Sequence, residues 1–302
     1  MANEKRIFCF WEPPGSMPAY LRLCMETWKR NLGGYEIVVL NYANLEGYLP
    51  STTYDLAVLK RLPFALQKDA LLAAVLCEHG GVFMDIDTIV TRDIAPVLAN
   101  LSRAEMVLFD VHIGFAAARR GARVPCRWKR HVQERLLRLS ESGAGAPDFN
   151  YLGNGPLAEV MEDMADASIA GRIYQRLRKQ EENWPRAARG AWRRLVEPVW
   201  ARRKGLFFRT VYRKYLTMLD RKQYGFMAEL AHYGTSGADH IADYRKFWFE
   251  EKLDVRYVFS PKQCVIGLHD SWTPEWYRAL SEKEVFEKDC LLSKTLRHAL
   301  GR

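Results

Sequence analysis

Twice in its first third, the chain runs a helical apolar stripe into a pair of glycines and then straight into a β-rich run. Over residues 18–31, Leu21, Cys24, Met25 and Trp28 fall on one helical face, Gly33-Gly34 stops the helix, and YEIVVL follows at 35–40. Over 64–79, Leu72, Val75 and Leu76 form a core stripe, Gly80-Gly81 ends it, and 82–86 reads as a strand. A short apolar strand at 6–11 (RIFCFW) precedes both and is halted by Glu12, Pro13, Pro14 and Gly15. Helices alternating with strands predict an α/β fold, a mainly parallel central sheet flanked by helices. No GxGxxG follows the first strand, so a dinucleotide-binding reading has no support.

With 48% apolar and 12% aromatic residues in 302, the chain has ample material for a packed core, which excludes wholesale disorder. The longest uninterrupted apolar run, 70–77, is eight residues, far short of the roughly 20 that span a bilayer. The first strand begins at about Arg6, which leaves no room for a signal peptide's apolar region and predicts a cytoplasmic chain. Six cysteines (Cys9, Cys24, Cys77, Cys126, Cys264 and Cys290) contain no CxxC pair, so buried thiols are expected rather than a disulfide framework or a zinc ribbon.

Further along, 106–116 (MVLFDVHIGFA) reads as one or two strands, and 151–156 (YLGNGP) as a turn with Pro156 at the first position of a helix to about 164. Residues 257–268 look like sheet again, and Thr273-Pro274 and the Ser281/Glu284 capping box each start a helix. Between these lies a basic stretch, broken by Pro185 and Pro198. Residues 172–222 hold sixteen Lys and Arg against four acids, a net +12 in a chain whose total is +9. A mildly acidic globule with one basic segment points to a localised anionic partner and away from a uniformly nucleic-acid-binding surface. The organisation predicted is one domain over 1–302 with a basic helical insertion or subdomain at 165–250.

The chemistry concentrates in GGVFMDIDTIV, 80–90, where Asp85 and Asp87 emerge at the end of a buried strand and, by alternation, point to the same side. Two acids held together raise one another's pKa, and a divalent cation removes that cost. Oxygen ligands with room for water and phosphate suit Mg²⁺ or Mn²⁺. The bland alternative is an Asp pair capping a turn.

The stretch FALQKDALLAAVLCEHGGVFMDID resembles the signature of glycosyltransferases related to family 32, including capsular-polysaccharide and lipopolysaccharide sugar transferases. Members read A-x-x-S-D-x-x-R, then L-Y-x-x-G-G-I-Y-x-D-x-D. The N-terminal strand ending in Phe10-Trp11, the helix carrying Cys24-Met25-Glu26-Thr27-Trp28-Lys29, and the late Leu268-His269-Asp270-Ser271-Trp272 are similar too. The resemblance implies a GT-A-like fold and metal-dependent sugar transfer from a nucleoside-diphosphate sugar, UDP favoured, with retention of configuration. The acceptor implied is a capsule, lipopolysaccharide or lipid-linked glycan. It also implies roles: Asp87 as direct metal ligand; Asp85 on the ribose, the sugar or the metal through water; Asp69 on the donor. Trp11, beside Phe10, would stack on the base, His269 would complete the metal or diphosphate contacts, and Ser271 and Trp272 would meet phosphate. Asn154 is a candidate for the acceptor sugar. Two positions depart from the pattern, Lys68 where Ser is usual and Leu72 where the family has a donor-contacting Arg.

A haloacid-dehalogenase-type phosphatase would also place D-x-D at a strand end. It needs Thr or Val two residues after the second Asp, where Ile89 stands, and a late Asp-Asp or G-D-x-x-x-D, neither of which occurs downstream. A catalytically inactive membrane-associated binding protein would explain the basic segment and leave the acids unexplained. In that segment Trp184, Trp192, Trp200, Phe207, Phe208, Tyr212 and Tyr215 interleave with arginines. The mixture suits an interfacial helix on anionic lipid and predicts an enzyme peripheral to the inner face of the plasma membrane.

Overall fold

A computed structural model describes residues 5–110, 112–142, 147–167, 169–180, 185–210, 212–233 and 240–302. Six strands form the central sheet: β1 (Arg6–Phe10), β2 (Glu36–Leu40), β3 (Gly81–Met84), β5 (Met106–Phe109), β6 (His112–Ala118) and β7 (Leu216–Leu219). A two-stranded ribbon pairs β4 (Thr88–Val90) with β8 (Val265–Gly267). The sheet order is β2-β1-β3-β6-β5-β7. β1 lies parallel between β2 and β3, β6 is antiparallel to both β3 and β5, and β7 is parallel to β5. The architecture is a helix-flanked, mostly parallel α/β sheet.

The inner strands β3, β5 and β6 are almost wholly buried because the middle of the sheet is covered on both faces. Ile7, Cys9, Val82 and Met84 point into a core shared with Trp28 of the Ala19–Asn31 helix and with the C-terminal Leu291–Leu300 helix. Phe8, Phe10 and Phe83 point the other way, against the Phe64–Glu78 helix and Trp128 of the Arg123–Ser142 helix. The second glycine pair works as expected, with Gly80 and Gly81 both at positive φ, where L side chains are strained. A Cβ on Gly80 would also sit 2.4 Å from the Arg120 backbone nitrogen.

Several expectations are corrected. The third strand ends at Met84, so Asp85 and Asp87 sit on the turn leading into β4, closed by Thr88 N–H donating to the Asp85 carbonyl at 3.1 Å. Sheet structure expected over 257–268 is confined to β8, and Pro156 is the third residue of the Asn154–Asp166 helix. Cys77 and Cys126 form a disulfide between the Phe64–Glu78 and Arg123–Ser142 helices, while Cys9, Cys24, Cys264 and Cys290 are the buried thiols expected.

The basic segment folds as the helices Ile169–Gln180 and Arg186–Thr210, the latter with Pro198 inside it. The 165–250 stretch is not helical throughout, since β7 takes the sheet edge beside β5. Part of its aromatic content is spent internally: Tyr174 stacks on Trp192 and Trp200, with ring centroids 5.8 and 4.8 Å apart. Trp184 and the side chains of Arg203, Lys204, Phe207, Phe208 and Tyr212 lie outside the described residues. No helix among the described residues is long and apolar enough to cross a membrane.

Candidate functional site

The C-terminal ends of β1 and β3 open into a cleft of about 800 Å³, the position where open α/β sheets bind ligands. Phe10, Trp11, Asp69, Asp85, Asp87, Asn154, His269, Ser271 and Trp272 all line it. The D-x-D turn and residues 269–272 are brought together by the β4–β8 ribbon. Its register, Thr88 opposite Gly267, lays the segment after β8 against the D-x-D turn. Leu268 N–H donates to the Asp87 carbonyl at 3.1 Å, and Asp270 N–H donates to Asp87 Oδ2 at 2.7 Å.

Asp69 and Lys68 are consecutive on the Phe64–Glu78 helix, and both face the cleft. The Lys68 ammonium lies 3.0 Å from Asp69 Oδ1 and 2.9 and 3.0 Å from the two carboxylate oxygens of Asp85. Burial works to lower the Lys68 pKa, but Asp69 and Asp85 outweigh it and hold the ammonium charged well beyond its usual range. Burial raises the Asp69 pKa, and Lys68 draws it part of the way back. Two glycines admit these carboxylates: a Cβ on Gly153 would sit 2.3 Å from Asp69 Oδ2, and one on Gly114 would sit 3.0 Å from Asp85 Oδ2. Leu72, one turn beyond Lys68, is wholly buried in the core, so no cation reaches the cleft from that position.

Asp87 has no lysine of its own. Burial first, then the Asp85 charge, pushes its pKa far above the carboxylate range, partly opposed by the Asp270 N–H. His112 and His269 are kept neutral, each with its pKa lowered to about 3, chiefly by burial. His112 Nδ1 accepts the Gly114 N–H at 3.1 Å. His269 packs on Trp272 with centroids 3.9 Å apart, and its Nε2 is buried without a hydrogen-bond partner among the described residues. Asn154 Oδ1 is buried in the same condition. A buried unpartnered polar atom costs about 1–3 kcal/mol, so both invite a ligand.

This donor set fits a divalent cation in chemistry: a carboxylate penalised by its surroundings beside a neutral imidazole with an unused nitrogen. The ligands are not gathered, however. Among the described residues no three His, Cys, Asp or Glu side chains form a metal-holding cluster, and Asp85 is turned onto Lys68.

At the aromatic end, Phe10 is only 2% exposed, behind Phe64, on which it stacks with centroids 5.3 Å apart. Trp11 is 9% exposed, packs in the core and donates its Nε1–H to Ser16 Oγ at 3.3 Å. Of Phe10, Trp11 and Phe64, Phe64 is the accessible ring, 39% exposed, which sequence reasoning missed because it reads as the first turn of a helix. Also missed were Arg221, which pairs with Asp110 at 3.5 Å, and Arg278, which pairs with Asp270 at 3.2 Å. Glu229, a buried carboxyl lining the cleft, has one oxygen accepting from Trp248 Nε1–H at 3.2 Å and the other unpartnered among the described residues.

The sequence that builds the first half of this cleft has a recognisable pattern. Residues 1–112 match the family described as capsular polysaccharide synthesis protein. The capsular polysaccharide synthesis match takes in Phe10, Trp11, Asp69, Asp85 and Asp87, and stops before the His269–Trp272 segment. Among solved structures, one described as PaToxG glycosyltransferase aligns over 59% of this chain and 76% of its own, at 14% identity and a TM-score of 0.39. Comparison with curated proteins yields no match.

Proposed function

We propose that the chain is a glycosyltransferase of capsular polysaccharide synthesis, moving a sugar from a nucleoside-diphosphate sugar to a hydroxyl of a surface-polysaccharide or lipid-linked glycan. The observation that carries this reading is the convergence of the D-x-D turn, Asp69 and the His269–Trp272 segment on one cleft, with aromatic rings at one end.

In this reading Phe64 stacks on the nucleobase with Trp11 packed edge-on behind it, and Ser271 and Trp272 meet phosphate oxygens. Asp69 accepts a hydrogen bond from a donor hydroxyl, which gives that buried acid a further partner. Asn154, at the start of its helix, accepts from a sugar hydroxyl on the acceptor side. Asp87, Asp85 and His269 would hold a divalent cation, Mn²⁺ or Mg²⁺. Such a cation supplies Lewis-acid neutralisation of charge developing on a leaving diphosphate. The resemblance implies a retaining hexosyl transfer, which calls for no dedicated general base, and none is assigned.

The basic helices are proposed to rest on anionic lipid at the inner face of the plasma membrane. Ile173 and Leu177 on one helix, and Leu195 and Val199 on the other, are exposed at i, i+4 spacing. Around them Arg172, Arg176, Arg178, Arg194 and Arg202 are exposed as well. Aliphatic rows flanked by cations suit an interfacial position, and a lipid-linked acceptor would be reached there.

A screen of labelled nucleotide sugars with Mn²⁺ or Mg²⁺ tests the enzymatic reading. Slow release of sugar to water from one donor, with no cleavage of simple phosphate esters, is the expected result. Ester cleavage without sugar release would replace a transferase by a phosphatase.

A further inference from the structure

The cleft contains a cation of its own at the first carboxylate of the D-x-D. Lys68 Nζ lies within 3.0 Å of both Asp85 oxygens and of Asp69 Oδ1, and its side chain is only 14% exposed. Both oxygens that Asp85 could offer a dication are therefore within hydrogen-bond distance of an ammonium, and two like charges on one carboxylate repel. The other cleft cations are committed elsewhere, Arg221 to Asp110 and Arg278 to Asp270. A four-carbon stem with rotatable torsions lets an ammonium exchange partners that a planar guanidinium fork would hold.

We propose that Lys68 is a gate on the metal site: it occupies Asp85 until the diphosphate of a donor gives the ammonium another anion. Asp85 is then free to turn toward a divalent cation beside Asp87. The inference rests on the nucleotide-sugar reading above and deepens it, since it makes metal and donor bind together. Without a donor, Lys68 pairs with Asp85 and Asp69, and the competent arrangement assembles only around the donor. By linkage, whatever the diphosphate does for metal affinity, the metal does for the diphosphate.

The test needs no turnover. Mn²⁺ binding to the full chain is followed by loss of the free-ion paramagnetic resonance signal, alone and with uridine or guanosine diphosphate, for wild type, Lys68→Ser and Lys68→Arg. Wild type should bind Mn²⁺ at least tenfold more tightly with one of the nucleotides than without. Lys68→Ser should bind Mn²⁺ at least tenfold more tightly than wild type when no nucleotide is present, and its coupling to nucleotide should shrink accordingly. Lys68→Arg should keep the weak nucleotide-free binding. If Lys68→Ser does not fold, Lys68→Gln, which keeps most of the side-chain length without the charge, carries the same expectation. Equal nucleotide-free affinities in wild type and the uncharged variants would overturn the gate and leave the transferase reading standing. Failure of wild type to bind Mn²⁺ or either nucleotide, singly or together, would overturn both.

Discussion

Glu229 offers a measurement in which the cleft's electrostatics can be read as stability. Burial raises its pKa from an ordinary 4.5 to about 7, with the Trp248 N–H and the Arg221 charge drawing it back only in part. A difference of about 2.5 units corresponds to roughly 3 kcal/mol between the two protonation states. The folded protein holds this proton more tightly than the unfolded chain. Below about pH 4.5 both states are protonated and the group contributes nothing. Between 4.5 and 7 the unfolded chain ionises first, so stability falls as pH rises. Above 7 the full penalty is in place. Glu229→Gln keeps an oxygen for Trp248 and removes the titration. In urea unfolding, variant and wild type should differ little at pH 4.5, and the variant should be more stable by about 3 kcal/mol at pH 8.5. His112 and His269 titrate in both proteins, so their contribution cancels in the difference. A gap of the same size at both pH values would refute the assignment of a buried, proton-holding carboxyl at this position.

Three further outcomes are expected. Asp87→Asn should abolish sugar transfer and donor-dependent Mn²⁺ binding while raising stability above neutral pH, because the charge being removed is the one the fold disfavours; retained turnover in the presence of a chelator would contradict the metal-bridged site. Phe64→Ala should raise the donor KM by roughly tenfold to a hundredfold, for stacking worth about 1–3 kcal/mol, whereas Trp11→Ala should cost about 3–5 kcal/mol of stability; the reverse pattern in unfolding and kinetic measurements would exchange their roles. Liposome flotation on anionic vesicles should be lost when Arg172, Arg176 and Arg202 become Glu, each basic residue near the surface contributing about 1 kcal/mol; equal flotation of wild type and variant would remove the membrane surface from the account.

Where local pattern and tertiary demand coincide, the fold is legible. Strands β1 to β3 and their two intervening helices follow from apolar periodicity and the glycine pairs, and the Ser281/Glu284 capping box is formed as its spacing implies. The Arg123–Ser142 helix was readable and overlooked: Val124, Trp128, Val132 and Leu136 recur every fourth residue, and all are buried. The Cys77–Cys126 link was not readable, because 49 residues of separation carry no motif and only the packing of two helices brings the pair together. Lys68 could be noticed as a departure, but nothing in sequence says that its ammonium reaches forward seventeen residues to Asp85. Glu229, Arg221 and Arg278 escaped for the same reason. They enter the cleft through the chain around β7 and β8, whose placement depends on partners far away in sequence.

That dependence locates the weakest point of the site. The ribbon that carries His269 to the D-x-D turn is three residues on each side, Thr88–Val90 against Val265–Gly267. Strand side chains alternate with a period of two, so a one-residue slip would exchange the buried and open faces of the whole ribbon. The register is pinned at both ends. Trp28 Nε1–H donates to the Thr88 carbonyl at 2.6 Å, and Asn31 donates to the Val90 carbonyl at 2.8 Å, fixing β4 to the Ala19–Asn31 helix. On the other strand, Gly267 lies against the Phe226 ring, where a Cβ would come within 2.7 Å. The Gly267 N–H donates to the Phe226 carbonyl at 2.7 Å. Trp28, well outside the cleft, thereby belongs to the machinery that positions Asp87 and His269. The Trp28 helix falls inside the family match at 1–112, while β8 and Phe226 lie beyond it. The cleft is therefore completed by residues that lie outside that match.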